Sequence, residues 1–354
     1  MKTEVIKVHP AFPELDVISR CAKIIREGGL VIFPTETVYG IAVNLSNPAA
    51  MKKLRDVKKR SDNKPFSILI SQKGLISNHT PMSDSLLYKM IDAWWPGPLT
   101  VIVPSRTPGE TVGIRMPDNT IALKLVQECR CAIAAPSANF EGNPPPATCQ
   151  EALRDLDGLV DIAIDGGTSE LGISSSVVDL TGEKPKVLRQ GSITQADVDK
   201  MAGRKTVAFI CTGNSCRSVM AEYMLKNKLK DRDDVEVISA GISVFIQTAA
   251  SSDTLMVLRR LDIDASGHYS QPLNPTLLKK SDLIFVMTQR HRQAVLEQVP
   301  GVENRVYFLK EFVKNPPSLQ SDLDIPDPMG KSFESYQECA AVIEEAVEKI
   351  AGLV

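Results

Sequence analysis

The stretch Val207–Glu222, which reads VAFICTGNSCRSVMAE, decides the fold of the second half of the chain. Its apolar run ends in Cys211, small polar residues follow, and a helical pattern begins near Ser218. In parallel α/β sheets, ligands bind beyond the carboxyl ends of the strands. The stretch therefore predicts a strand, a loop and a helix, with a functional thiol at the tip of the strand.

Strand-like and helix-like segments alternate on the C-terminal side of this stretch. The alternation predicts a doubly wound parallel sheet with helices on both faces, an α/β fold. The predicted strands are 205–211, 235–240, 282–287 and 305–309, and the predicted helices are 218–229, 254–261, 290–299 and 333–351.

Another α/β series precedes the stretch. A polar segment, Arg189–Lys205, contains a short helical pattern and is interpreted as a linker. We therefore predict two domains, 1–200 and 204–354, and 354 residues are long enough for two cores. In the first domain, the predicted helices are 16–27 and 49–58, and the predicted strands are 30–34, 66–71, 99–104 and 177–180.

The composition is that of a globular protein, with 43% hydrophobic residues, 24% charged residues and a formal net charge of −2. We expect neither a secretory signal nor a membrane span, and the charge gives no global indication of nucleic-acid binding. Seven scattered cysteines and four histidines form no zinc-ligand pattern. We expect free thiols, no metal site of the protein's own and a reducing, cytoplasmic setting. His268 and His291 are interpreted as surface or loop residues.

The residues after Cys211 have the character of an anion-binding loop. Backbone N–H groups at the start of the following helix can surround three oxygens of a phosphoryl group. Gly213 and Asn214 tolerate the left-handed backbone angles that such a tight loop requires. The Arg217 guanidinium can hold two phosphate oxygens, and the Ser218 hydroxyl can donate to a thiolate.

The sequence C-T-G-N-S-C-R-S, with a later D-P-x-G, resembles the low-molecular-weight protein tyrosine phosphatase family, which includes protein-arginine phosphatases. The resemblance covers about residues 204–354. It implies that Cys211 is the nucleophile of a phosphocysteine route, Arg217 the phosphate clamp and Asp327 the general acid. The implied phosphate loop comprises Thr212, Gly213, Asn214, Ser215, Cys216 and Ser218.

Three positions refine this resemblance. Cys216 matches the family's second loop cysteine, which forms a protective disulfide with Cys211 under oxidation. Val219 departs from the proline of many members. At Ser215, tyrosine-directed members carry a bulky aliphatic residue and arginine-directed members carry threonine. The small hydroxyl at this position favours phosphoarginine over phosphotyrosine.

Further motifs are spread over the first half of the chain. Lys58, Arg60 and Lys64 follow a predicted helix, and three cations in one short loop can hold a polyphosphate. A solvated charged turn is the alternative interpretation of that pattern. Ser137 and Asn139, in the motif PSAN, are polar residues after an apolar run.

Together, FPTETVYGIA, the K-x-R loop, WWPGPLTVIV, VGIRMP, PSAN, SSSVVDL and LRQGSI resemble the threonylcarbamoyl-AMP synthase (YrdC-like) family over about residues 10–195. The resemblance implies a twisted mixed sheet with helices. It also implies that L-threonine, bicarbonate or CO2, and ATP give threonylcarbamoyl-AMP and pyrophosphate, for modification of adenosine 37 of tRNA. Leu69 departs from members that have a histidine near the substrate. The implied L-threonine-binding residues are Thr35, Arg115, Ser137 and Ser175, and the implied ATP-binding residues are Lys58, Arg60, Lys64, Thr111, Asn139 and Arg189.

The implied partners are a phosphoprotein and the tRNA-modification machinery, with direct RNA contact as a further expectation and no membrane. Mg²⁺ is expected to arrive with ATP, bound largely through its phosphates, and no tightly bound cofactor is expected. Two alternatives stay open. One is an RNA-binding first domain without synthase activity. The other is an arsenate reductase in the second domain, which needs thiols such as Cys216 and Cys339 to resolve an arsenylated Cys211.

Overall fold

The computed structural model describes residues 2–59, 66–82, 84–317 and 320–354, without the side chains of 320 and 321. Arg60 and Lys64, two of the predicted ATP-binding residues, lie outside the described residues. The chain divides into two compact units. The first holds the residues up to Met82 together with Lys89–Ala202, and the second holds Gly203–Val354 together with a short segment that ends at Tyr88.

The first unit is built on a mixed sheet. Its described strands are β1 Glu4–Lys7, β2 Val31–Phe33, β3 Gly40–Asn44, β4 Ile68–Leu69, β5 Leu99–Pro104, β6 Thr111–Arg115, β7 Ile133–Ala134, β8 Ile162–Asp165, β9 Ser176–Asp179 and β10 Lys186–Arg189. They form one sheet in the order β1-β8-β2-β3-β7-β4-β6-β5-β9-β10. β8 is parallel to β1 and β2, β4 to β6, and β5 to β9, whereas the other neighbours are antiparallel. The expected mixed sheet is confirmed.

Three helices of this part of the chain begin at capping side chains. Asn47, Asn119 and Thr148 each accept a hydrogen bond from a backbone N–H of the first helical turn. The predicted linker contains a helix, in which Val198 is buried. The described helices are α1 Leu15–Arg26, α2 Pro48–Lys58, α3 Ser85–Trp94, α4 Thr120–Cys129, α5 Cys149–Leu156 and α6 Gln195–Gly203, with a 3₁₀ helix at Lys73–Asn78.

Helices cover both faces of this sheet. Side chains alternate along β2, so Val31 and Phe33 join an apolar cluster with α1 and α4, whereas Ile32 joins one with α2 and α5. Each of these side chains is fully buried, which contributes about 2 kcal/mol of hydrophobic stabilisation per residue. The predicted strand 66–71 shortens to Ile68–Leu69 because the ladders on both sides of β4 extend over two residues only.

Both tryptophans of the chain lie in the first unit, at Trp94 and Trp95. Trp95 is buried, and its Nε1–H donates a hydrogen bond to the carbonyl oxygen of Leu99 at 2.8 Å. The bond satisfies the one donor of the indole ring. Trp95 is therefore a core residue.

The second unit contains a parallel sheet. Its described strands are β11 Lys205–Cys211, β12 Val235–Gly241, β13 Leu283–Val286 and β14 Val306–Phe308. They are ordered β12-β11-β13-β14, and every neighbouring pair is parallel, which confirms the prediction. The described helices are α7 Arg217–Lys228, α8 Ser252–Arg259, α9 Pro275–Lys280, α10 Gln289–Gln298 and α11 Phe333–Ala351, with 3₁₀ helices at Pro300–Arg305, Leu309–Phe312 and Gln320–Leu323.

The residues of β11 alternate between two apolar clusters, so this sheet is also covered on both faces. Phe209 packs with α7 and α11, and its ring lies 5.5 Å from that of Phe285. Ala208 and Ile210 pack with α9 and α10. Cys211 ends the inner strand β11, at the carboxyl edge of the sheet.

Candidate functional site

Cys211 lies under the loop that connects β11 to α7. Its side chain is buried, and the Sγ atom is 2.9 Å from Ser218 Oγ. The backbone N–H of Asn214 donates to the same sulfur at 3.2 Å. These donors and the N-terminus of α7 surround the sulfur with positive electrostatic potential.

A chain of hydrogen bonds leads from Gln271 through Asn214 to Ser218 and the sulfur. The Gln271 N–H donates to Asn214 Oδ1 at 2.8 Å, which fixes the amide so that Nδ2 is its donor. Nδ2 then donates to Ser218 Oγ at 3.0 Å and to Ser239 Oγ at 2.6 Å, while Ser239 donates to the Glu222 carboxylate. Ser218 Oγ accepts from Asn214 and can still donate its own hydrogen to the sulfur.

One of the two residues that tolerate left-handed backbone angles adopts them. Asn214 has a φ of 52°, in the left-handed region. The φ of Gly213 lies outside that region. The carbonyl of Asn214 accepts a hydrogen bond from Nε2 of His268 at 2.9 Å, which helps to hold the turn in place.

Gly241, at the end of β12, permits close approach of the phosphate loop. A Cβ atom at this position would lie 2.6 Å from the Thr212 carbonyl oxygen and 2.9 Å from the Asn214 nitrogen. The sequence resemblance implies phosphatase activity, and on that expectation we predict that Gly241→Ala displaces the loop and lowers kcat/KM about 100-fold, because small misplacements at a reacting centre have effects of this size. Phosphate release from para-nitrophenyl phosphate measures this. Gly267→Ala, where no atom of the described residues lies within 4 Å of the new Cβ, should retain activity, and equal losses in both variants would contradict the explanation.

Arg217 and Asp327 meet beside the loop. The Arg217 side chain is buried, its Nη1 donates to the Ile325 carbonyl at 2.9 Å, and its Nη2 donates to the Asp327 carboxylate. The acid-bearing loop is attached to the sheet by the Ile325 N–H, which donates to the Met287 carbonyl at 2.8 Å. The Asp327 side chain is 48% exposed, so it can exchange protons with a substrate or water.

The other thiols near this site differ from Cys211. Cys216 Sγ lies 3.3 Å from Ser251 Oγ and 3.7 Å from the Tyr336 hydroxyl, and all seven cysteines of the chain are free. Burial raises the pKa of Cys339 to about 12, with the nearby Asp327 carboxylate acting in the same direction and Arg217 opposing it. Cys339 is therefore a weak nucleophile near neutral pH.

His268 lies in a loop, which agrees with its interpretation as a surface or loop residue, although its side chain is buried. The same interpretation of His291 is wrong, because this residue lies in α10 and is buried. His291 Nε2 lies 2.9 Å from Thr212 Oγ1, and its Nδ1 lies 2.9 Å from Thr288 Oγ1. Burial, assisted by Arg217 and Arg290, lowers the pKa of His291 from 6.5 to about 3. The ring therefore links the phosphate loop to α10 as a neutral imidazole.

This burial predicts a pH dependence of stability. Below about pH 6.5 the unfolded chain protonates His291, whereas the folded chain keeps it neutral down to about pH 3. The free energy of unfolding therefore falls as the pH falls through this window, by up to about 1.4 kcal/mol per pH unit. We expect His291→Gln to flatten that slope for the second unit, whose calorimetric transition is the one that the phosphate analogue vanadate stabilises. The exposed His9→Gln lies in the first unit and should leave the slope of this transition unchanged. A wild-type slope in His291→Gln would refute the assignment.

The first unit contains a cavity of about 270 Å³ at the ends of several strands. All four predicted L-threonine-binding residues line it, as do two of the predicted ATP-binding residues. Leu69, the departure from the family pattern, is also part of the wall. The six predicted residues that line the cavity are Thr35, Thr111, Arg115, Ser137, Ser175 and Arg189.

Arg115 is buried in the wall of the cavity. Its Nη2 donates to Glu36 Oε1 at 2.7 Å and to Thr37 Oγ1 at 2.8 Å, and its Nε donates to the Gly97 carbonyl at 3.4 Å. Neither Glu36 nor Thr37 is among the residues predicted from the sequence, although both stand in the quoted PTET motif. Among the described residues, Nη1 has no hydrogen-bond partner.

Thr35 has a hydroxyl that is fully used inside the protein. It donates to the Val38 carbonyl at 2.6 Å and lies 2.9 Å from Thr37 Oγ1, which receives a hydrogen bond from Arg115. Because the Thr35 hydrogen is committed to Val38, Thr37 must donate to Thr35. The chain of hydrogen bonds shapes the turn after β2 and ties it to Arg115.

Ser175 and Arg189 are brought together on the other side of the cavity. Arg189 Nη2 donates to Ser175 Oγ at 3.0 Å, and its Nε donates to the Ser175 carbonyl at 3.0 Å. Ser175 Oγ also lies 2.9 Å from Thr100 Oγ1, another wall residue that the sequence did not indicate.

Lys58 and Asn139 lie behind this cavity rather than in its wall. Lys58 is 3% exposed, and its Nζ donates to the carbonyls of Ser137 and Asn139 at 2.6 Å each. The Asn139 side chain donates to the Asn143 carbonyl, while its Oδ1 is buried and has no partner among the described residues. Lys58 thus fixes the PSAN loop, and Asn139 offers an acceptor.

The described residues contain neither a metal-binding cluster nor a membrane-spanning helix. These residues hold no group of three or more His, Cys, Asp or Glu side chains placed to bind a metal ion. None of the described helices combines the length and the apolar character needed to cross a membrane.

Comparisons with known proteins assign both units to families. The family model described as telomere recombination (Sua5/YciO/YrdC) matches residues 23–191, and the one described as low molecular weight phosphotyrosine protein phosphatase matches residues 206–354. The threonylcarbamoyl-AMP synthase of Bacillus subtilis is 36% identical over 52% of this chain and 56% of its own length. The chain therefore spans little more than half of that relative.

Two further relatives are covered almost completely. A putative threonylcarbamoyl-AMP synthase of Mycobacterium tuberculosis is 34% identical over 51% of this chain and 86% of its own length. The protein-arginine-phosphatase of Bacillus subtilis is 33% identical over 41% of this chain and 93% of its own length.

One solved structure supports the fold. P. abyssi Sua5, crystallised in complex with L-threonine, is 24% identical, with a TM-score of 0.54, and the match covers 86% of this chain and 99% of that one. At this identity the likeness concerns the fold alone. On the family models and the two well-covered relatives, the chain belongs to the threonylcarbamoyl-AMP synthase family through its first unit and to the low-molecular-weight phosphatase family through its second.

Proposed function

We propose that the first unit is a threonylcarbamoyl-AMP synthase that uses L-threonine, bicarbonate or CO2, and ATP. The observation that carries this proposal is the convergence of Arg115, Ser137 and Ser175 on one cavity, with Arg189 beside Ser175. The names of the relatives support the same reaction. In this proposal, Nη1 of Arg115 holds the threonine carboxylate, and Arg189 lies toward the nucleotide.

The chemistry requires positioning and charge neutralisation, with no covalent enzyme intermediate. The threonine amine loses a proton and adds to CO2, which gives a carbamate. A carbamate oxygen attacks the α-phosphorus of ATP, and pyrophosphate leaves. Holding the reactants together supplies much of the acceleration, and cationic side chains stabilise the charge that develops on the phosphates. Mg²⁺ is proposed to enter with ATP on its phosphates.

The product is a reactive mixed anhydride, so a transferase must consume it promptly. We propose that it serves the modification of adenosine 37 of tRNA and that the tRNA-modification machinery is the partner of this unit. A cytoplasmic setting, in which thiols stay reduced, suits both proposed activities.

We propose that the second unit is a protein phosphatase that uses a phosphocysteine intermediate. The observation that carries it is the Cys211 sulfur held by the Asn214 N–H and the Ser218 hydroxyl. The sulfur attacks phosphorus, Asp327 donates a proton to the leaving group, and the same carboxylate then accepts a proton from the attacking water. Phosphate is released and the thiolate is restored.

Phosphoarginine is the proposed substrate of this site. Ser215 contributes a small, polar side chain to the phosphate loop. One relative that the second unit covers is a protein-arginine-phosphatase. The buried Cys339, whose pKa is raised to about 12, makes arsenate reductase the weaker candidate because that reaction needs reactive resolving thiols.

A paired assay on the full chain tests both proposals. It measures pyrophosphate release that depends on threonine, bicarbonate and ATP, and phosphate release from phosphoarginine and phosphotyrosine peptides. RNA binding without pyrophosphate release would favour the RNA-binding alternative for the first unit. Arsenate-dependent thiol oxidation that exceeds phosphatase turnover would favour the reductase for the second.

A further inference from the structure

Glu36 has a carboxylate that the predicted site does not account for. The residue is 5% exposed, and its Oε1 lies 2.7 Å from Arg115 Nη2. Its Oε2 is buried without a hydrogen-bond partner among the described residues. Leaving a buried charged oxygen unsatisfied is costly, and such a group in a folded protein requires an explanation.

The pair that Glu36 forms with Arg115 changes what the cavity attracts. Of the described residues that line the cavity, the charged ones are Arg115 and Arg189. Without Glu36, Arg115 would be a general anion site. With it, the local charge is balanced, so a simple carboxylate gains little, because attraction to the guanidinium is offset by repulsion from Glu36.

An α-amino acid fits this balanced pair, because it carries both charges on adjacent groups. Its carboxylate can take Nη1 of Arg115, which has no partner among the described residues. The Glu36 carboxylate does not line the cavity, so it attracts the ammonium through the charge that it places beside Arg115 rather than by direct contact. In a buried site, such an attraction is weakly screened.

We propose that Glu36 is a specificity-determining residue, which makes the cavity select an amino-acid zwitterion over a carboxylic acid that lacks the amine. The proposal rests on the proposed synthase function and names the feature of L-threonine that the site reads. It also accounts for the acidic residue in PTET: an amide would hold Arg115 but would offer no charge to an ammonium.

The test is calorimetric binding of two ligands to the full chain. L-threonine is compared with (3R)-3-hydroxybutanoate, which keeps the carboxylate and the hydroxyl but lacks the amine. Wild type should prefer threonine about 30-fold, which corresponds to the attraction between unit charges about 8 Å apart at an effective dielectric constant of about 20, and Glu36→Gln should reduce the preference to about threefold or less. Thr37→Val removes the neutral contact to the same Arg115 nitrogen and should keep the preference.

The outcomes separate the inference from the proposed function. Failure of wild type to bind threonine would remove the synthase proposal itself. Threonine binding with an unchanged preference in Glu36→Gln would overturn the role of Glu36 alone, and so would equal binding of the two ligands by wild type. Should Glu36→Gln fail to fold, Glu36→Asp replaces it: the retained charge predicts a preference for threonine, and its absence overturns the inference.

Discussion

Cys211→Ser should reduce phosphate release by the full chain about 10⁴-fold, a loss typical of removing the nucleophile of a catalytic unit. The hydroxyl of serine stays protonated near neutral pH and is a much weaker nucleophile than a thiolate, so the phosphocysteine route is lost. The Asn214 N–H and Ser218 contacts, at 3.2 and 2.9 Å, would instead surround a neutral group. Initial rates with a phosphoarginine peptide measure the effect.

Two controls accompany this variant. Cys339→Ala removes a buried thiol outside the phosphate loop and should retain phosphatase activity. Pyrophosphate release by Cys211→Ser should equal that of wild type, because this residue belongs to the second unit. Substantial phosphatase activity in Cys211→Ser would exclude the phosphocysteine route.

Arg115→Gln should raise the KM for L-threonine about 100-fold in pyrophosphate release, while the KM for ATP changes little. Removing one partner of a buried, hydrogen-bonded ion pair costs several kcal/mol, and here it also removes the group proposed to hold the substrate carboxylate. Glu36, 2.7 Å from Arg115 in wild type, would be left as an uncompensated buried charge.

Arg115→Lys distinguishes binding from folding, because it keeps the charge near Glu36 but loses the planar fork. We expect an intermediate KM for threonine in a stably folded protein. Arg106→Gln changes an exposed arginine of the same unit and should leave both KM values unchanged. A wild-type KM for threonine in Arg115→Gln would show that this arginine does not hold the carboxylate.

The geometry of the candidate phosphate loop was largely predictable because its parts are local in sequence. Cys211, Asn214, Arg217 and Ser218 lie within eight residues, so the geometry of a strand end and a helix start fixes most of their contacts. Asp327 lies 110 residues from Arg217, and the family resemblance, rather than spacing, identified it. Gly213 and Asn214 show that composition indicates which residues permit a left-handed backbone, not which of them adopts it.

The first unit was harder to predict because its contacts are long-range. Arg115 meets Glu36 and Thr37 across 79 and 78 residues, a pairing that only the assembled sheet produces. Lys58 appears in the sequence as a solvated or phosphate-binding cation, yet it is buried and donates to two carbonyls that lie 79 and 81 residues away. The burial of His268 and His291 was missed for a related reason: each ring has a hydrogen-bond partner in the distant phosphate loop, which periodicity does not reveal.

The location of both indoles in the first unit gives the chain a built-in optical label. Selective excitation of tryptophan reports on Trp94 and Trp95 and is silent for the second unit, whose aromatic residues are phenylalanine and tyrosine. Emission titrated with threonine or ATP therefore follows the half that is proposed to form the adenylate, without a dye or a truncated chain. Tyrosine emission does not separate the units, because Tyr39 lies in the first, so calorimetry supplies the signal of the half that contains Cys211.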